Sequence, residues 1–246
     1  MKRIYGLKES TEDKRDFVKA YAPHTEIVLP QVVDLRPLMP PIFHQGELGS
    51  CTANAGVSLR MFLLGEDAVG LSRLNLYYNE RAIEGNIPED SGAEMRDIGK
   101  CLFNYGVCEK TLSPYDVTKF TEAPSAEMTE NATKYKIKSY SSLTTFRDVL
   151  VYLAIHQRPV LMGMKVFSSF ESKEVADSGI MSMPKPTDKF AGGHAVLIVG
   201  YKTENGKVSL IVRNSWGTDW GDEGHFYMPE NYVTAGYAGE FWTIDA

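Results

Sequence analysis

Between Ser50 and Gly65 the apolar residues Ala53, Val57, Met61 and Leu64 return every three or four positions. That repeat predicts a helix beginning after Ser50, an acceptable N-cap, and ended by Gly65. Two further helices are predicted over 73–84 ("RLNLYYNERAIE") and 94–105 ("EMRDIGKCLFNY"), the second stopped by Gly106. Ahead of them, Pro37, Pro40 and Pro41 force extended backbone. Residues 1–30, mixed in charge and punctuated by Pro23 and Pro30, read as an extension outside the core. After residue 134 the pattern changes. A Lys/Tyr run at 134–140 reads as a strand and "SLTTFRDVLVYLAIHQ" as one short helix. The apolar runs at 159–166, 195–201 and 208–213 read as strands. Asn205-Gly206 between the last two marks a tight hairpin turn. The expectation is an α+β protein: an extension at 1–30, a mainly helical part at 31–125 and a mainly β part at 126–246.

Composition narrows the functional classes. A net charge of -6 with interspersed signs argues against nucleic acid as a partner, which would need clustered Lys and Arg. No stretch approaches the ~18 consecutive apolar residues of a membrane helix, so no membrane partner is expected. The basic start "MKRIYGLKE" is followed by no apolar segment of signal-peptide type, which favours an intracellular setting. Three cysteines, Cys51, Cys101 and Cys108, are too few for a disulfide framework and lie in no zinc-ligand spacing. Cys101 and Cys108 could pair, though two free thiols fit an intracellular protein better. No metal site is read; Asp219, Asp222 and Glu223 miss the calcium-loop spacing and read as a solvated turn.

Candidate chemistry begins at "HQGELGSCTANAG", residues 44–56, where Cys51 falls at the predicted helix start. First-turn amides and the helix dipole favour an anion there and lower a thiol's pKa. In the later half, His194 precedes one apolar strand ("GGHAVLIVGY") and Asn214 ends the next ("KVSLIVRNSWG"). A hairpin centred near 204 brings both to one end of the ladder. An Asn carboxamide oxygen can hold one imidazole nitrogen while the other takes a proton from a thiol. Trp216 could shield that bond from water. Gln45 lies six residues before Cys51 across a glycine-rich loop. Its amide and the Cys51 N–H could form a two-donor oxyanion hole. His44 is the rival base, but no orienting partner is evident for it; His24, His156 and His225 read as surface or packing residues.

Together, "QGELGSC", "GGHAV", "RNSWG" and "WGDEG" resemble the papain family of cysteine peptidases across roughly residues 31–230. Cys51 and His194 are 143 residues apart, within the family's interval of about 130–150, and Cys51 and Asn214 are 163 apart. The resemblance implies a two-domain fold, helical on the left and β-barrel-like on the right, with the active-site cleft between. It implies hydrolysis of peptide or protein substrates through a thiolate–imidazolium pair and an acyl-enzyme, without cofactor, by a monomer. On it, Gln45 serves the oxyanion, Cys51 is the nucleophile, His194 the base and acid, Asn214 its orienter, and Trp216 the shield and primed-side wall. Gly92 would pair with extended substrate. Gly163, Gly193 and Met164 would line a roomy apolar pocket for the second residue before the scissile bond. Thr52 stands where plant and lysosomal members carry an aromatic residue, and Leu48 where they carry a disulfide cysteine. With no long helical pro-region, the pattern is closer to the bacterial and viral branch. The alternatives are a papain-fold binding protein that no longer cleaves, or an acyl transferase or amidase using the same triad. The extension either wraps the right domain or lies over the cleft as a short pro-segment.

Overall fold

The computed structural model describes residues 3–11, 13–14, 16–21, 27–65 and 69–246; His24 lies outside them. Helices come first in the body of the chain: α1 (Cys51–Leu64), α2 (Arg73–Ile83), α3 (Met95–Asn104) and the short α4 (Ala126–Ala132). Beyond them are α5 (Phe146–His156), α6 (Lys173–Ser178) and α7 (Glu230–Thr234). The strands are β1 (Leu7–Lys8), β2 (Val18–Lys19), β3 (Val32–Asp34), β4 (Ala93–Glu94), β5 (Ser139–Leu143) and β6 (Val160–Phe167). They continue with β7 (Phe190–Glu204), β8 (Lys207–Arg213), β9 (His225–Pro229) and β10 (Ala238–Asp245).

The three predicted helices form within a residue or two of expectation, and α1 exceeds it. Residues 51–61 are all buried, so α1 has no solvent face in its first three turns. It packs against α2 and α3 on one side and against β7 on the other. Its start is not capped by Ser50, whose hydroxyl instead meets the Tyr115 hydroxyl at 2.6 Å. Its end is Gly65, at φ 65°, where a side chain would be strained.

The sheet runs β2-β5-β10-β6-β7-β8-β9, with β3 also on β7. Asn205 and Gly206 both take positive φ, the tight turn expected between β7 and β8. The ladder differs in detail from a regular hairpin. A bulge between Ile198 and Gly200 shifts the register so that Leu197 faces Arg213. Carried to its end, this register sets 216, not 214, across from His194. The strand expected at 134–140 begins only at Ser139, because α4 runs on into a 3-10 turn at Thr133–Tyr135. β9, α7 and β10 carried no clear pattern, yet β10 lies between β5 and β6 inside the sheet.

The extension is integrated with the body. β2 pairs parallel with β5 at the sheet edge, and β1 pairs parallel with β4 just ahead of α3. It therefore touches both the sheet and the helical part.

Candidate active site

Cys51 is the first residue of α1, and its side chain is wholly enclosed. The Ala195 amide hydrogen-bonds toward its sulfur, which places the thiol beside His194. His194 is held by Asn214: Nε2 and Asn214 Oδ1 are 2.8 Å apart, so Nε2 carries the proton and donates. Nδ1, buried and without a hydrogen-bond partner among the described residues, is the nitrogen left for the thiol. Asn214 Oδ1 also accepts from the Ser215 amide at 2.8 Å, which fixes the flip of the carboxamide. The Trp216 ring stacks on His194, 24° from parallel with centroids 5.1 Å apart, and covers the His–Asn bond. Trp216, bridged to His44, thus supplies the shield, and the Asn214 side chain reaches the imidazole.

Gln45 is buried beside them. Its backbone N–H donates to Ser215 O at 2.9 Å, and its Oε1 accepts from Ser215 Oγ at 2.7 Å. With Oε1 so engaged, Nε2 faces the Leu48 carbonyl at 3.0 Å and the Ile4 carbonyl at 3.4 Å. His44 is no rival base here, since its Nδ1 accepts from the Gly46 amide at 2.9 Å. Sequence reasoning missed Ser215, although it sits inside the motif "RNSWG".

The cleft is filled by the chain itself. The Arg3 guanidinium lies 3.9 Å over the Trp216 ring, and Tyr5 meets His194 edge-on at 5.9 Å. The Gly6 amide hydrogen-bonds toward the Cys51 sulfur, and Gly6 O accepts from Ala93 N at 2.8 Å. Leu7 then enters the region expected to be a pocket. A Cβ on Gly163 would stand 2.9 Å from Leu7 Cδ2, and one on Gly193 would stand 2.6 Å from Leu7 O. A Cβ on Gly92, at φ 70°, would stand 1.8 Å from Gly6 O. All three glycines thus touch the covering segment. Beyond Leu7 a cavity of about 460 Å³ remains, lined among others by Met164, Phe190, Tyr237 and Glu240. Residues 3 to 8 run from Trp216 toward this pocket. Lys8 then pairs with Glu84, and Thr11 bonds Glu94.

Burial under this cover governs the electrostatics. Desolvation pushes the Cys51 thiol up to about 11 against hydrogen bonds from Ala195, Gly6 and Thr52, while the nearby Glu80 adds to the rise. His194 is held down at about 4, first by desolvation and also by the Arg3 charge, with the Asn214 bond opposing. Burial thus favours the neutral thiol and the neutral imidazole over the expected thiolate–imidazolium pair. A helix N-terminus contributes about 1 kcal/mol to an anion. Raising a thiol from 9 to about 11 corresponds to roughly 3 kcal/mol, so desolvation wins.

The other candidates lie outside this cluster, His156 exposed and Asp222 half-buried. Cys101 and Cys108 are buried free thiols. His156 Nε2 meets the Tyr21 hydroxyl at 2.7 Å, and His225 is buried. Asp222 is bound to Arg36 and Tyr227.

Residues 29–241 match the sequence pattern described as papain family cysteine protease. An uncharacterized peptidase C1-like protein of Acanthamoeba polyphaga mimivirus is 36% identical over 271 residues, spanning 98% of this chain and 86% of its own. Xylellain, a cysteine protease from Xylella fastidiosa, superposes with a TM-score of 0.86 at 35% identity, over 98% of this chain and 96% of that one. Cysteine proteinase 1 of Entamoeba histolytica is 29% identical, covering 96% of this chain and 73% of its own length.

Proposed function

The chain belongs to the papain family of cysteine proteases, with that family's α+β fold, and from this premise we infer that it hydrolyses peptide bonds through an acyl-enzyme on Cys51. The observation that carries the reading is the bond between His194 Nε2 and Asn214 Oδ1, which leaves the buried Nδ1 without a partner among the described residues and free to take the thiol proton. With the cleft open to substrate, Cys51 passes its proton to His194 and the thiolate adds to the carbonyl carbon. Gln45 Nε2 and the Cys51 amide receive the oxyanion. The C–N bond breaks, the leaving amine takes the proton from the imidazolium, and a thioester remains. Water, losing a proton to His194, then adds to the thioester and releases the acid and the thiol. Asn214 keeps the imidazole oriented throughout, and Trp216 keeps water off that bond.

Substrate lies extended along Gly92, with an apolar side chain in the space now held by Leu7 between Gly163 and Gly193. Residues 3–8 act as an internal restraint. They run from the primed-side wall to the unprimed pocket, opposite to the direction of a cleaved substrate, and their parallel pairing with β4 agrees with that reversal.

The test is a peptide-library digestion by the full chain, by a chain lacking residues 1–11, and by the shortened chain carrying Cys51→Ala. The shortened chain should cleave faster, and Cys51→Ala should abolish both cleavage and labelling by a thiol-directed epoxide while folding normally. Retained activity in Cys51→Ala would overturn the nucleophile. Equal turnover with and without residues 1–11, both chains being folded, would sink the restraint.

A further inference from the structure

The two oxyanion donors, Gln45 Nε2 and the Cys51 amide, come from stretches six residues apart, joined by a loop containing Gly46 at φ 66° and Gly49. Such donors act only when held at a fixed spacing, and a glycine-bearing loop does not provide that stiffness by itself. Two residues outside the family motifs hold it. Arg73, at the start of α2, donates from Nη1 to His44 O at 3.0 Å. Tyr115 donates its hydroxyl hydrogen to Gln45 O at 2.8 Å. Successive carbonyls of the loop are thus each pinned by a side chain from the helical part.

The same two residues are tied to the first turn of α1 by a one-way chain of donors. Arg73 Nη1 donates to Asn54 Oδ1 at 2.8 Å, and Asn54 Nδ2 donates to Ser50 Oγ at 3.0 Å and to Ser50 O at 2.8 Å. Ser50 Oγ stands 2.6 Å from the Tyr115 hydroxyl. Because the Tyr115 proton goes to Gln45 O, the Ser50 hydroxyl supplies the proton in that contact. The Arg73 guanidinium lies 3.7 Å over the Tyr115 ring and 4.5 Å over that of Phe43, which fixes the plane from which both residues donate. Ser50 immediately precedes the nucleophile, so the circuit closes on the Cys51 amide from one side and on the Gln45 carbonyl from the other.

We propose that Tyr115 and Arg73 are positioning residues for transition-state binding, setting the Gln45 carboxamide at its working distance from the Cys51 amide. This rests on the thiol-peptidase reading above, in which Gln45 receives the oxyanion. It predicts a loss confined to steps that develop an oxyanion. Displacement of iodide from iodoacetamide by Cys51 develops none, and so separates positioning from general damage.

The experiment is a double-mutant cycle in the full-length chain, Tyr115→Phe with and without Gln45→Ala, reading kcat and KM on a peptide amide and the rate of Cys51 alkylation by iodoacetamide. Tyr115→Phe should lower kcat about tenfold, leave KM and the alkylation rate within roughly twofold, and lower kcat less than twofold once Gln45 is Ala. Arg73→Met should behave alike, and Arg73→Lys, which retains one donor, should recover part of the loss. Unchanged kcat in Tyr115→Phe, an equal loss in the Gln45→Ala background, or a parallel fall in alkylation would overturn the proposal. Absence of turnover both in the wild-type chain and in the folded chain lacking residues 1–11 would instead overturn the peptidase reading, and the positioning role with it.

Discussion

Behind the nucleophile, Thr52 donates its hydroxyl hydrogen to Glu80 Oε2 at 2.7 Å, and both residues are fully enclosed. The position that looked anomalous beside better-known relatives is thus the partner of a buried acid. Burial raises the Glu80 carboxyl well above its ordinary value, the Thr52 bond opposing and the charge of Asp97 adding to the rise. Its Oε1 has no hydrogen-bond partner among the described residues. Thr52→Val should therefore destabilise the fold by about 1–3 kcal/mol, measured by urea unfolding, because it strips a buried carboxyl of its hydroxyl. Glu80→Gln tests the charge. A carboxyl raised on folding keeps its proton in the native state and loses it in the unfolded one. The stability it contributes is present at low pH and falls as pH rises above the unfolded value. Glu80→Gln should therefore gain on wild type in urea midpoint between pH 4 and 7; a constant difference would mean Glu80 does not titrate on unfolding. The Gln–Cys–His–Asn set was legible because each member sits in a short motif of unusual residue types. Thr52–Glu80 was not, because a helix-interior glutamate gives no sign in sequence that it points inward.

Among the elements, β1 is the one on which the proposed restraint of the nucleophile turns. Its neighbours Arg3 and Gly6 lie against the pair: burial is the main cause that lowers His194 and raises Cys51, the Arg3 charge lowers His194 further, and the Gly6 amide acts on the thiol in the opposite sense. In the full chain, iodoacetamide alkylation of Cys51 should climb only toward alkaline pH, following a thiol near 11. Without residues 1–11 the rate should be high and nearly flat from pH 5 to 8, as a thiolate–imidazolium pair requires; superimposable profiles would refute the control by β1. Leu7 is the anchor to loosen. Burying part of a leucine contributes about 1–2 kcal/mol, so Leu7→Ala should raise peptide turnover roughly tenfold, and an unchanged rate would place the restraint elsewhere. No periodicity announces a two-residue strand, which is why the extension could be read only as wrapping or covering. The long β7–β8 hairpin was legible from Asn205-Gly206 and its apolar runs. The bulge at Val199 was not, and it shifts the pairing of β7 with β8 by one residue.

For the molecule as a whole, one core cluster runs from α1 through the sheet to β10, so helices and strands share their interior. The change from helical to strand pattern near residue 130 was visible in sequence. The C-terminal strand was not, because its buried run, Phe241 to Ile244, is covered on both faces and shows no apolar/polar alternation. Acid should be the weak side of this fold. Burial holds His225 at about 4, with the Arg213 charge adding to the effect, so it stays neutral in the native state and charges only on unfolding. Its contribution is therefore lost as pH falls from the unfolded value near 6.5 toward 4. His225→Gln should flatten the decline of the urea midpoint across that window; an unaltered slope would assign the acid sensitivity to other groups. The covering segment has a last consequence, set by its attachment. A short tether presents its own ligand at roughly millimolar effective concentration, so on the proposed restraint every external peptide would enter as a competitor. The KM of the full chain would then report an exchange of one peptide for another rather than simple binding, and dilution of the protein would leave that competition unchanged.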